Sequence, residues 1–332
     1  ASMTKILASL PLIMELEEQG TIGLDSTLGD LLPELEESNK GDLALREVFS
    51  HRARLKAWIP FYLKTLDSIT SEPSSEYYRK NPSDDFKVQV ANDLYLRTDY
   101  TDSIIDIITN AEQRTRSGYR YSDLSFYLLR KYMERHYGKS LNELTHNRFY
   151  APLGANSLTY LPLKKFDADR IVPSEDDQYF RYQILRGHVH DMGAAMEGGI
   201  GGHAGLFGNA NDVAKMMQMY LQGGTYGGIR YFDQETIDKF NYRYYDHEKI
   251  RRGLIFDKPE IRDPEDSACY CVSEQSFGHS GFTGTYTWAD PEFEIVYVFL
   301  SNRVFPTMDN RDLIRENIRT NIQHIIQQAI QD

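Results

Sequence analysis

Residues 1–10, ASMTKILASL, place a serine and a lysine three positions apart at the start of an apolar run. Apolar residues then recur with the spacing of one helix face until a glycine ends the run, which predicts a helix over residues 2–19. Pro11 falls inside this run and is expected to kink the helix or to lie in a compensated turn. Ser2 and Lys5 would therefore stand in the first turn of a buried or amphipathic helix.

The spacing of Ser2 and Lys5 can create a nucleophile. Residues three apart share a helix face, so the lysine amine can reach the serine hydroxyl. A serine is a weak nucleophile until a neighbouring base takes its proton, and the unpaired N–H groups of a helix start favour developing negative charge. The four-residue pattern is common by chance, however, and the alternative is that Ser2 is a plain helix N-cap. A second signal is required.

Two further parts of the chain have regular local patterns. Residues 122–137, SDLSFYLLRKYMERHY, predict a helix with Ser122 or Asp123 as its N-cap, which puts Tyr121 just before a helix start. The last quarter is rich in aromatic and β-branched residues, and its segments SFGHSG, FTGTYTWAD and FEIVYVFLSN predict antiparallel strands. A final amphipathic helix carries an apolar stripe at Leu313, Ile314, Ile318, Ile322, Ile325 and Ile326. Helices first and strands last favour an α+β fold.

The composition is that of a globular protein. A chain of 332 residues can bury about three quarters of its unfolded surface, and 41% hydrophobic with 26% charged residues is too apolar for disorder. The net charge of −12 argues against a nucleic-acid partner. No stretch reaches the ~18 apolar residues of a membrane span, and no signal segment opens the chain.

Three elements occur in the order and local structure that one enzyme superfamily uses. They are S-x-x-K at residues 2–5, Tyr-Ser-Asp at residues 121–123 and His-Ser-Gly at residues 279–281. The chain resembles the β-lactamase and penicillin-binding-protein superfamily of serine hydrolases, whose second and third elements are Y-x-N-like and K-T-G-like. Within it, the chain is similar to the class C β-lactamase-like branch of esterases, D-aminopeptidases and DD-peptidases. The glycine-rich residues 186–217 and the strand pair at 277–292 carry the same resemblance.

The resemblance implies a catalytic role for four residues. Ser2 would attack a carbonyl carbon and become the acyl-enzyme, and Lys5 would lower the cost of its deprotonation. Tyr121 would shuttle the proton as an ionised phenol whose pKa is depressed by nearby positive charge. His279 would stand in place of the lysine of the third element. No metal and no cofactor are needed.

The resemblance also implies the substrate-binding groups. The backbone N–H groups of Ser2 and Phe282 would form the oxyanion hole. Ser280 would bind a substrate carboxylate or carbonyl, and Gly281 belongs to the same substrate-binding strand. Asp123 would stand where many members carry asparagine, and it could orient the lysine of the first element.

Two departures from the superfamily pattern bear on the substrate. Asp123 adds a negative charge, and His279 is mostly neutral at pH 7, where a lysine would be charged. Both changes weaken the positive field that β-lactamases use to hold the antibiotic carboxylate. We therefore expect hydrolysis of a small amide or ester, with a D-amino-acid peptide of the cell wall as the leading candidate, ahead of β-lactam hydrolysis. The remaining alternative is a non-catalytic ligand-binding or docking domain of a larger secreted glycosidase.

Other motifs favour structural roles. His188, His190 and Asp191 have the spacing of a metal pair, but no further ligand cluster is evident, so hydrogen bonding is expected. A loose G-x-G-x-x-A at residues 199–204 lacks the preceding strand of a dinucleotide site, so tight backbone packing is expected.

Two groups of residues leave their role open. Cys269 and Cys271 are too close for an unstrained disulfide and too few for a zinc site, so they do not decide the redox compartment. The aromatic residues of an inserted segment either line a substrate cleft or belong to the core; they are Trp58, Phe61, Tyr62, Tyr77, Tyr78 and Tyr95.

The expected architecture is a single β-lactamase-like domain over residues 1–332. Residues 1–19 and 205–332 would form a sheet-containing subdomain, and residues 20–204 a mainly helical one with an insertion of short helices near 59–110. The active site should lie at their junction, where a small-molecule or peptide substrate would bind.

The resemblance extends to the parent protein. Relatives carry several dozen residues before the S-x-x-K, so a chain that starts at Ala1 is expected to lack an N-terminal helix and edge strands, leaving an unpaired sheet edge. Residues 51–62, HRARLKAWIPFY, further resemble a variant in which such a domain follows a family 3 glycoside hydrolase. A periplasmic or secreted location of the parent protein is implied by the resemblance.

Overall fold

The computed structural model describes residues 1–260 and 271–331, in which helices surround short antiparallel sheets. The α-helices are α1 (Leu10–Glu18), α2 (Leu28–Leu31), α3 (Leu45–Phe49), α4 (Tyr100–Asn110), α5 (Leu124–Tyr137), α6 (Leu141–Thr145), α7 (Met192–Met196), α8 (Ala210–Leu221), α9 (Gln234–Asn241), α10 (Asp312–Arg315) and α11 (Ile318–Gln331). The strands are β1 (Tyr78–Arg79), β2 (Val88–Ala91), β3 (Leu94–Leu96), β4 (Pro173–Asp177), β5 (Gln183–Arg186), β6 (Thr225–Tyr226), β7 (Ile229–Arg230), β8 (Phe277–Ser280), β9 (Tyr286–Asp290) and β10 (Ile295–Phe299). Two π-helices are Lys5–Ser9 and His146–Tyr150, and the 3₁₀-helices are Pro33–Leu35, Phe61–Thr65, Pro162–Lys164, Ala168–Arg170 and Asp246–Glu248. The prediction of an α+β fold is confirmed.

The sheet that carries the third element has the strand order β10-β9-β8 and is antiparallel throughout. In its register His279 lies opposite Thr287, and Asp290 lies opposite Ile295 across the turn that joins β9 to β10. Every residue of the central strand β9 is buried. The helix α8 packs against β9, and Tyr286 and Trp288 of β9 pack in a cluster with Ile326 of α11. The strands predicted in the last quarter are thus confirmed.

The two sides of this sheet end differently. Next to β8, Asp257 pairs with Gly278 through backbone hydrogen bonds of 2.8 and 3.0 Å, so the loop that follows α9 continues the sheet. At the other side, β10 is the outermost strand in the described part of the chain.

The helix predicted over residues 2–19 begins as a π-helix and continues as α1, and Pro11 explains the change. Proline has no N–H, so the hydrogen bond that position 11 would make to a carbonyl of the preceding turn is missing. Two buried tyrosine hydroxyls replace it: Tyr150 donates to the carbonyl of Leu7 (2.9 Å), and Tyr220 donates to that of Ile6 (2.8 Å). The proline is therefore compensated by the core rather than by a kink.

The glycine-rich segment packs against the helix that follows Tyr121. A Cβ atom added to Gly202 would lie 2.5 Å from the carbonyl oxygen of Phe126 in α5, so only glycine allows this approach. Gly205 has a φ of +122°, and its Cβ would lie 2.4 Å from another backbone oxygen. The tight backbone packing expected for this segment is confirmed.

Two parts of the chain differ from the sequence expectation. The inserted segment near 59–110 contains the sheet β1-β3-β2 as well as α4. The sequence analysis missed these strands because they are too short to show a periodic pattern. The predicted final helix is divided into α10 and α11. Most of its apolar stripe faces solvent; the exposed residues are Ile314 in α10 and Ile318, Ile322 and Ile325 in α11. Its buried side holds Gln323 and Gln327, and Gln323 accepts a hydrogen bond of 2.8 Å from the Tyr286 hydroxyl of the sheet.

Two further expectations can be placed on the fold. None of the helices among the described residues has both the length and the apolar character needed to cross a membrane. Of the two cysteines, Cys269 lies outside the described residues, whereas Cys271 is disulfide-bonded.

Candidate active site

The first and second elements meet in a hydrogen-bonded chain of three side chains. The Lys5 ammonium donates to Ser2 Oγ at 3.0 Å and to Asp123 Oδ1 at 2.5 Å. Lys5 is completely buried, and the Asp123 side chain is 23% exposed. Ser2 and Lys5 come from the start of the first helix, and Asp123 comes from the turn before α5. The hydrogen bond from Lys5 to Asp123 thus joins residues that are 118 positions apart in the sequence.

Lys5 is an ammonium in this arrangement. Burial alone would lower its pKa, but the Asp123 carboxylate outweighs burial and raises the pKa above the ordinary lysine value. A protonated amine can donate to Ser2 Oγ and stabilise an alkoxide that forms there, but it cannot accept the serine proton. At neutral pH the Lys5 ammonium therefore stabilises negative charge on Ser2 Oγ but does not act as the base that removes the serine proton.

Tyr121 lies beside this chain as a neutral phenol. The Lys5 nitrogen is 4.8 Å from the centre of its ring. The Tyr121 hydroxyl is buried and makes no hydrogen bond of 3.5 Å or less among the described residues, although it interacts with the neighbouring Lys5 ammonium. Burial raises the pKa of Tyr121, with Asp123 adding to the rise, and these effects outweigh the lowering by Lys5 and Arg252. The expectation of a depressed tyrosine pKa is therefore wrong, because desolvation exceeds the attraction of the neighbouring cations.

The turn that holds Tyr121 and Asp123 is tied to the segment before the 3₁₀-helix Phe61–Thr65. Ser122 donates its backbone N–H to His51 Nδ1 (3.2 Å) and its hydroxyl to the carbonyl of Lys56 (2.7 Å). The backbone N–H of Asp123 donates to the carbonyl of Ala57 (2.9 Å). Ser122 is thus a positioning residue, whose role the sequence pattern did not specify.

The third element lies next to the first. A Cβ atom added to Gly281 would come within 3.0 Å of the Ala1 Cβ, so the end of β8 reaches the residue before Ser2. The backbone N–H of Gly281 donates to the carbonyl of Thr285 (2.7 Å), which fixes the turn between β8 and β9. The two rings of Tyr121 and His279 have centres 5.9 Å apart.

His279 is neutral, and its neighbour is an arginine that the sequence analysis missed. Arg252 Nη1 lies 3.5 Å from His279 Nε2, and His279 Nδ1 lies 2.7 Å from the carbonyl oxygen of Ser280. Burial first, then the charges of Arg252 and Lys5, lower the pKa of His279 to about 3. No local motif marks Arg252, because it stands 27 positions before its partner in a loop.

A cavity of about 420 Å³ opens at Ser2. Its wall includes Asp123 and Phe282 beside the nucleophile, and it also includes the aromatic residues Trp58, Phe61, Tyr62 and Tyr127. Phe282 is 54% exposed and stacks on His190 with ring centres 5.7 Å apart. The sequence analysis left open whether the aromatic residues of the insertion line a cleft or belong to the core. Trp58, Phe61 and Tyr62 line the cleft, whereas Tyr78 belongs to the core.

A histidine and an aspartate form a second polar pair in the cavity wall. His203 Nε2 donates to Asp191 Oδ1 at 2.9 Å, and the backbone N–H of Ala194 donates to the same oxygen at 2.8 Å. Burial would lower the pKa of His203, but Asp191 outweighs it and raises the pKa. The glycine-rich segment that carries His203 was the signal available in the sequence, although it did not indicate this pairing.

The two histidines of the H-x-H motif, His188 and His190, have separate hydrogen-bond partners. His188 Nε2 lies 3.0 Å from Asn92 Oδ1, and His190 Nε2 lies 2.8 Å from Glu175 Oε2. Glu175 also accepts hydrogen bonds from the Tyr179 hydroxyl and the Met308 backbone N–H. Both histidines therefore have the structural hydrogen bonds that the sequence analysis expected.

Comparisons with known proteins agree with this geometry. The family described as Beta-lactamase matches residues 1–321. The N-acetylmuramyl-L-alanine amidase of Bacillus subtilis is 27% identical over 338 residues, which cover 91% of this chain and 67% of the relative. A protein assigned as a D-alanyl-D-alanine carboxypeptidase in Escherichia coli K12 is 32% identical over 207 residues, covering 59% of this chain and 47% of that protein.

A solved structure shows the same fold. EstCE1, a hydrolase with promiscuous acyltransferase activity, superimposes with a TM-score of 0.62 and 18% identity, covering 96% of this chain and 84% of its own. At this identity the likeness concerns the fold alone.

Proposed function

This chain belongs to the β-lactamase family and is a serine hydrolase, and on that premise we propose that it cleaves a small amide or ester through an acyl-enzyme on Ser2. The observation that carries the proposal is the chain of hydrogen bonds from Asp123 through Lys5 to Ser2 Oγ at the wall of a cavity. The leading substrate is a peptide containing a D-amino acid.

The chemistry proposed for acylation involves three side chains. Ser2 Oγ bonds to the substrate carbonyl carbon, and its proton passes to Tyr121 or Lys5 and then to the leaving group as the carbonyl–nitrogen or carbonyl–oxygen bond breaks. Lys5 and Tyr121 are both protonated at rest, so one proton must leave the pair before attack. The rate of acylation should therefore rise with pH above neutrality. The backbone N–H groups of Ser2 and Phe282 are the proposed oxyanion hole.

The cavity supports the choice of substrate class. Its aromatic wall suits an apolar or ring-shaped acyl group, and Asp123 at the nucleophile disfavours a substrate carboxylate at that point. The names of both curated relatives denote hydrolases of amide bonds. These observations support amide or ester hydrolysis ahead of β-lactam hydrolysis. A periplasmic or secreted location, a cell-wall substrate and an upstream glycoside hydrolase domain also belong to this proposal and rest on resemblance.

Covalent labelling tests the proposed nucleophile. The protein is treated with a fluorophosphonate or with fluorescent penicillin, and its intact mass is measured. We expect one adduct in the unmodified chain and in the control Ser117→Ala, whose serine is exposed, but none in Ser2→Ala. An adduct that persists in Ser2→Ala would overturn the proposal.

One observation favours a second candidate, a non-catalytic ligand-binding domain. Lys5 and Tyr121 both have raised pKa values, so neither is deprotonated and able to accept the Ser2 proton in the resting site. This alternative predicts saturable, reversible binding of a peptide or penicillin, with no adduct at any pH between 6 and 10.

A further inference from the structure

Arg252 lies in the loop that follows α9 and is almost completely buried, with 5% of its surface exposed. The backbone pairing of Asp257 with Gly278 fixes this loop against β8, one residue from His279. A buried guanidinium at this place is unexpected, because removing a permanent charge from water is costly without a partner. It lies beside the second and third elements of the site, which suggests a role in that site.

The guanidinium contacts both Tyr121 and His279. Its Cζ atom lies 5.2 Å from the centre of the Tyr121 ring and 5.8 Å from that of Tyr119. Its Nη1 atom lies 3.5 Å from His279 Nε2. Arginine has only donors, so His279 Nε2 must face it with a lone pair, and the ring proton must sit on Nδ1. That proton is then donated to the carbonyl of Ser280 at 2.7 Å.

The positive charge of this loop is only partly neutralised. Arg251 and Arg252 share one carboxylate, that of Asp257. The Nε atom of Arg252 lies 3.6 Å from that carboxylate, too far for a hydrogen bond. The charged and titratable groups that face Tyr121 from the neighbouring elements are Lys5, Asp123, His51, His279 and Arg252. Lys5 is paired with Asp123, so Arg252, whose Cζ atom lies 5.2 Å from the centre of the Tyr121 ring, is the second cation beside Tyr121.

We propose that Arg252 supplies, from outside the three sequence elements, the positive charge that the neutral His279 does not carry. It acts as a positioning residue: it favours the ionised form of Tyr121 during proton transfer, and it fixes the tautomer through which His279 holds the end of β8. The proposal rests on the proposed hydrolase function for its kinetic part, whereas the His279 part is independent of catalysis.

The first test is a pH profile of acylation. The rate of fluorophosphonate labelling is measured from pH 6 to 10 in the unmodified chain, Arg252→Gln, Arg252→Lys and the control Arg251→Gln, which removes the other partner of Asp257. Loss of a charge about 5 Å from the ring should move the acid limb of Arg252→Gln to higher pH by about one unit, a tenfold slower reaction at a pH on that limb. Arg252→Lys keeps the charge and should keep the limb in place, as should Arg251→Gln.

The second test reads His279 directly, without activity. Long-range proton–nitrogen NMR spectra of ¹⁵N-histidine-labelled protein, assigned with His279→Gln, distinguish the two tautomers and the protonated ring. The unmodified chain should show a neutral Nδ1–H ring at pH 5, and Arg252→Gln should take up a proton at higher pH than the unmodified chain does.

The outcomes separate the two proposals. An unlabelled chain with the expected His279 spectra would overturn the hydrolase function but support the arrangement around Arg252. A slower Arg252→Gln reaction with an unmoved acid limb, or an equal move in Arg251→Gln, would overturn the role of Arg252 toward Tyr121. Unchanged His279 spectra in folded Arg252→Gln would overturn its role toward His279.

Discussion

Replacing Asp123 with asparagine should make the stability of the protein depend on pH in a new way. Lys5 is fully buried and its ammonium is held by Asp123 at 2.5 Å. Asparagine keeps the size of the side chain but removes the counter-charge, so burial then acts on Lys5 with little opposition. The largest influence on the Lys5 pKa is burial, which lowers it, and the variant should therefore hold a lysine whose pKa is below the ordinary 10.5.

The magnitude follows from the burial of the pair. Breaking a buried ion pair costs about 3–5 kcal/mol, and the 23% exposure of Asp123 lowers the expected loss to about 2–3 kcal/mol at pH 6. In the unmodified chain the raised Lys5 pKa contributes stability below pH 10.5 that is lost only above it. In Asp123→Asn the lowered pKa makes the ammonium unfavourable, and this cost is relieved by up to about 1.4 kcal/mol per pH unit as the pH rises toward 10.5.

Urea unfolding at pH 6, 7.5 and 9 measures the effect. The difference in unfolding free energy between the unmodified chain and Asp123→Asn should shrink as the pH rises. Asp312→Asn is the control, because its ion pair with Arg315 is 69% exposed on both sides and should contribute less than about 1 kcal/mol at any pH. A deficit in Asp123→Asn that stays constant from pH 6 to 9 would refute the reasoning, since it would mean that Lys5 keeps its charge without Asp123.

Three further substitutions test separate parts of the site. Tyr121→Phe should slow labelling by at least about 100-fold yet leave the unfolding free energy nearly unchanged, because the hydroxyl it removes is buried and makes no hydrogen bond among the described residues; a large loss of stability would contradict this. Tyr150→Phe should lower the unfolding free energy by about 1–3 kcal/mol, because the carbonyl of Leu7 loses its donor beside Pro11, and a neutral result in urea unfolding would show that another group replaces it. Trp58→Ala should raise KM for a bulky apolar ester by about fivefold to tenfold without a change in stability, since the 54% exposed indole lines the cavity; an unchanged KM would exclude Trp58 from the substrate cleft.

The sequence could indicate those parts of the site that local patterns encode. Ser2 and Lys5 share one helix face, and Tyr121 and Asp123 stand at a helix start, so spacing and capping rules predicted their local structure. The resemblance to the superfamily was needed to single them out as site residues. Arg252 could not be found in this way, because its relation to His279 depends on a loop that pairs with β8. The division into two subdomains stays a prediction.

The sequence patterns also could not predict which surfaces would bury the predicted elements. The pKa of Tyr121 depends on how deeply three separate elements bury it, and a motif does not state burial. The same holds for α11, where the sheet supplies a polar partner to Gln323 and the isoleucine stripe faces outward. In both cases the missing information was the identity of the surface that packs against a correctly predicted element.

The charges around Ser2 bear on the choice of substrate. Arg251 and Arg252 bring two cations to the third element and Asp257 brings one carboxylate, while Lys5 is paired with Asp123. Three cations thus face two carboxylates, and the remaining positive charge is buried at Arg252. In the described part of the chain, the cavity wall at Ser2 includes Asp123 but neither lysine nor arginine.

A carboxylate on the substrate would therefore meet Asp123 with no lysine or arginine in the described cavity wall to offset the repulsion, because the remaining charged groups of that wall, His203 and Asp191, are paired with each other. We expect kcat/KM for a neutral p-nitrophenyl ester to exceed that for its carboxylate-bearing analogue by about tenfold at low ionic strength, because unit charges a few ångströms apart near a surface interact by more than about 1 kcal/mol. The ratio should fall in 0.5 M NaCl, where screening shortens the range of the repulsion, and Asp123→Asn should reduce it further. Equal values for the two esters at low salt would contradict the prediction, since they would mean that a cation, His203 of the cavity wall or Arg252, offsets Asp123 at the substrate carboxylate.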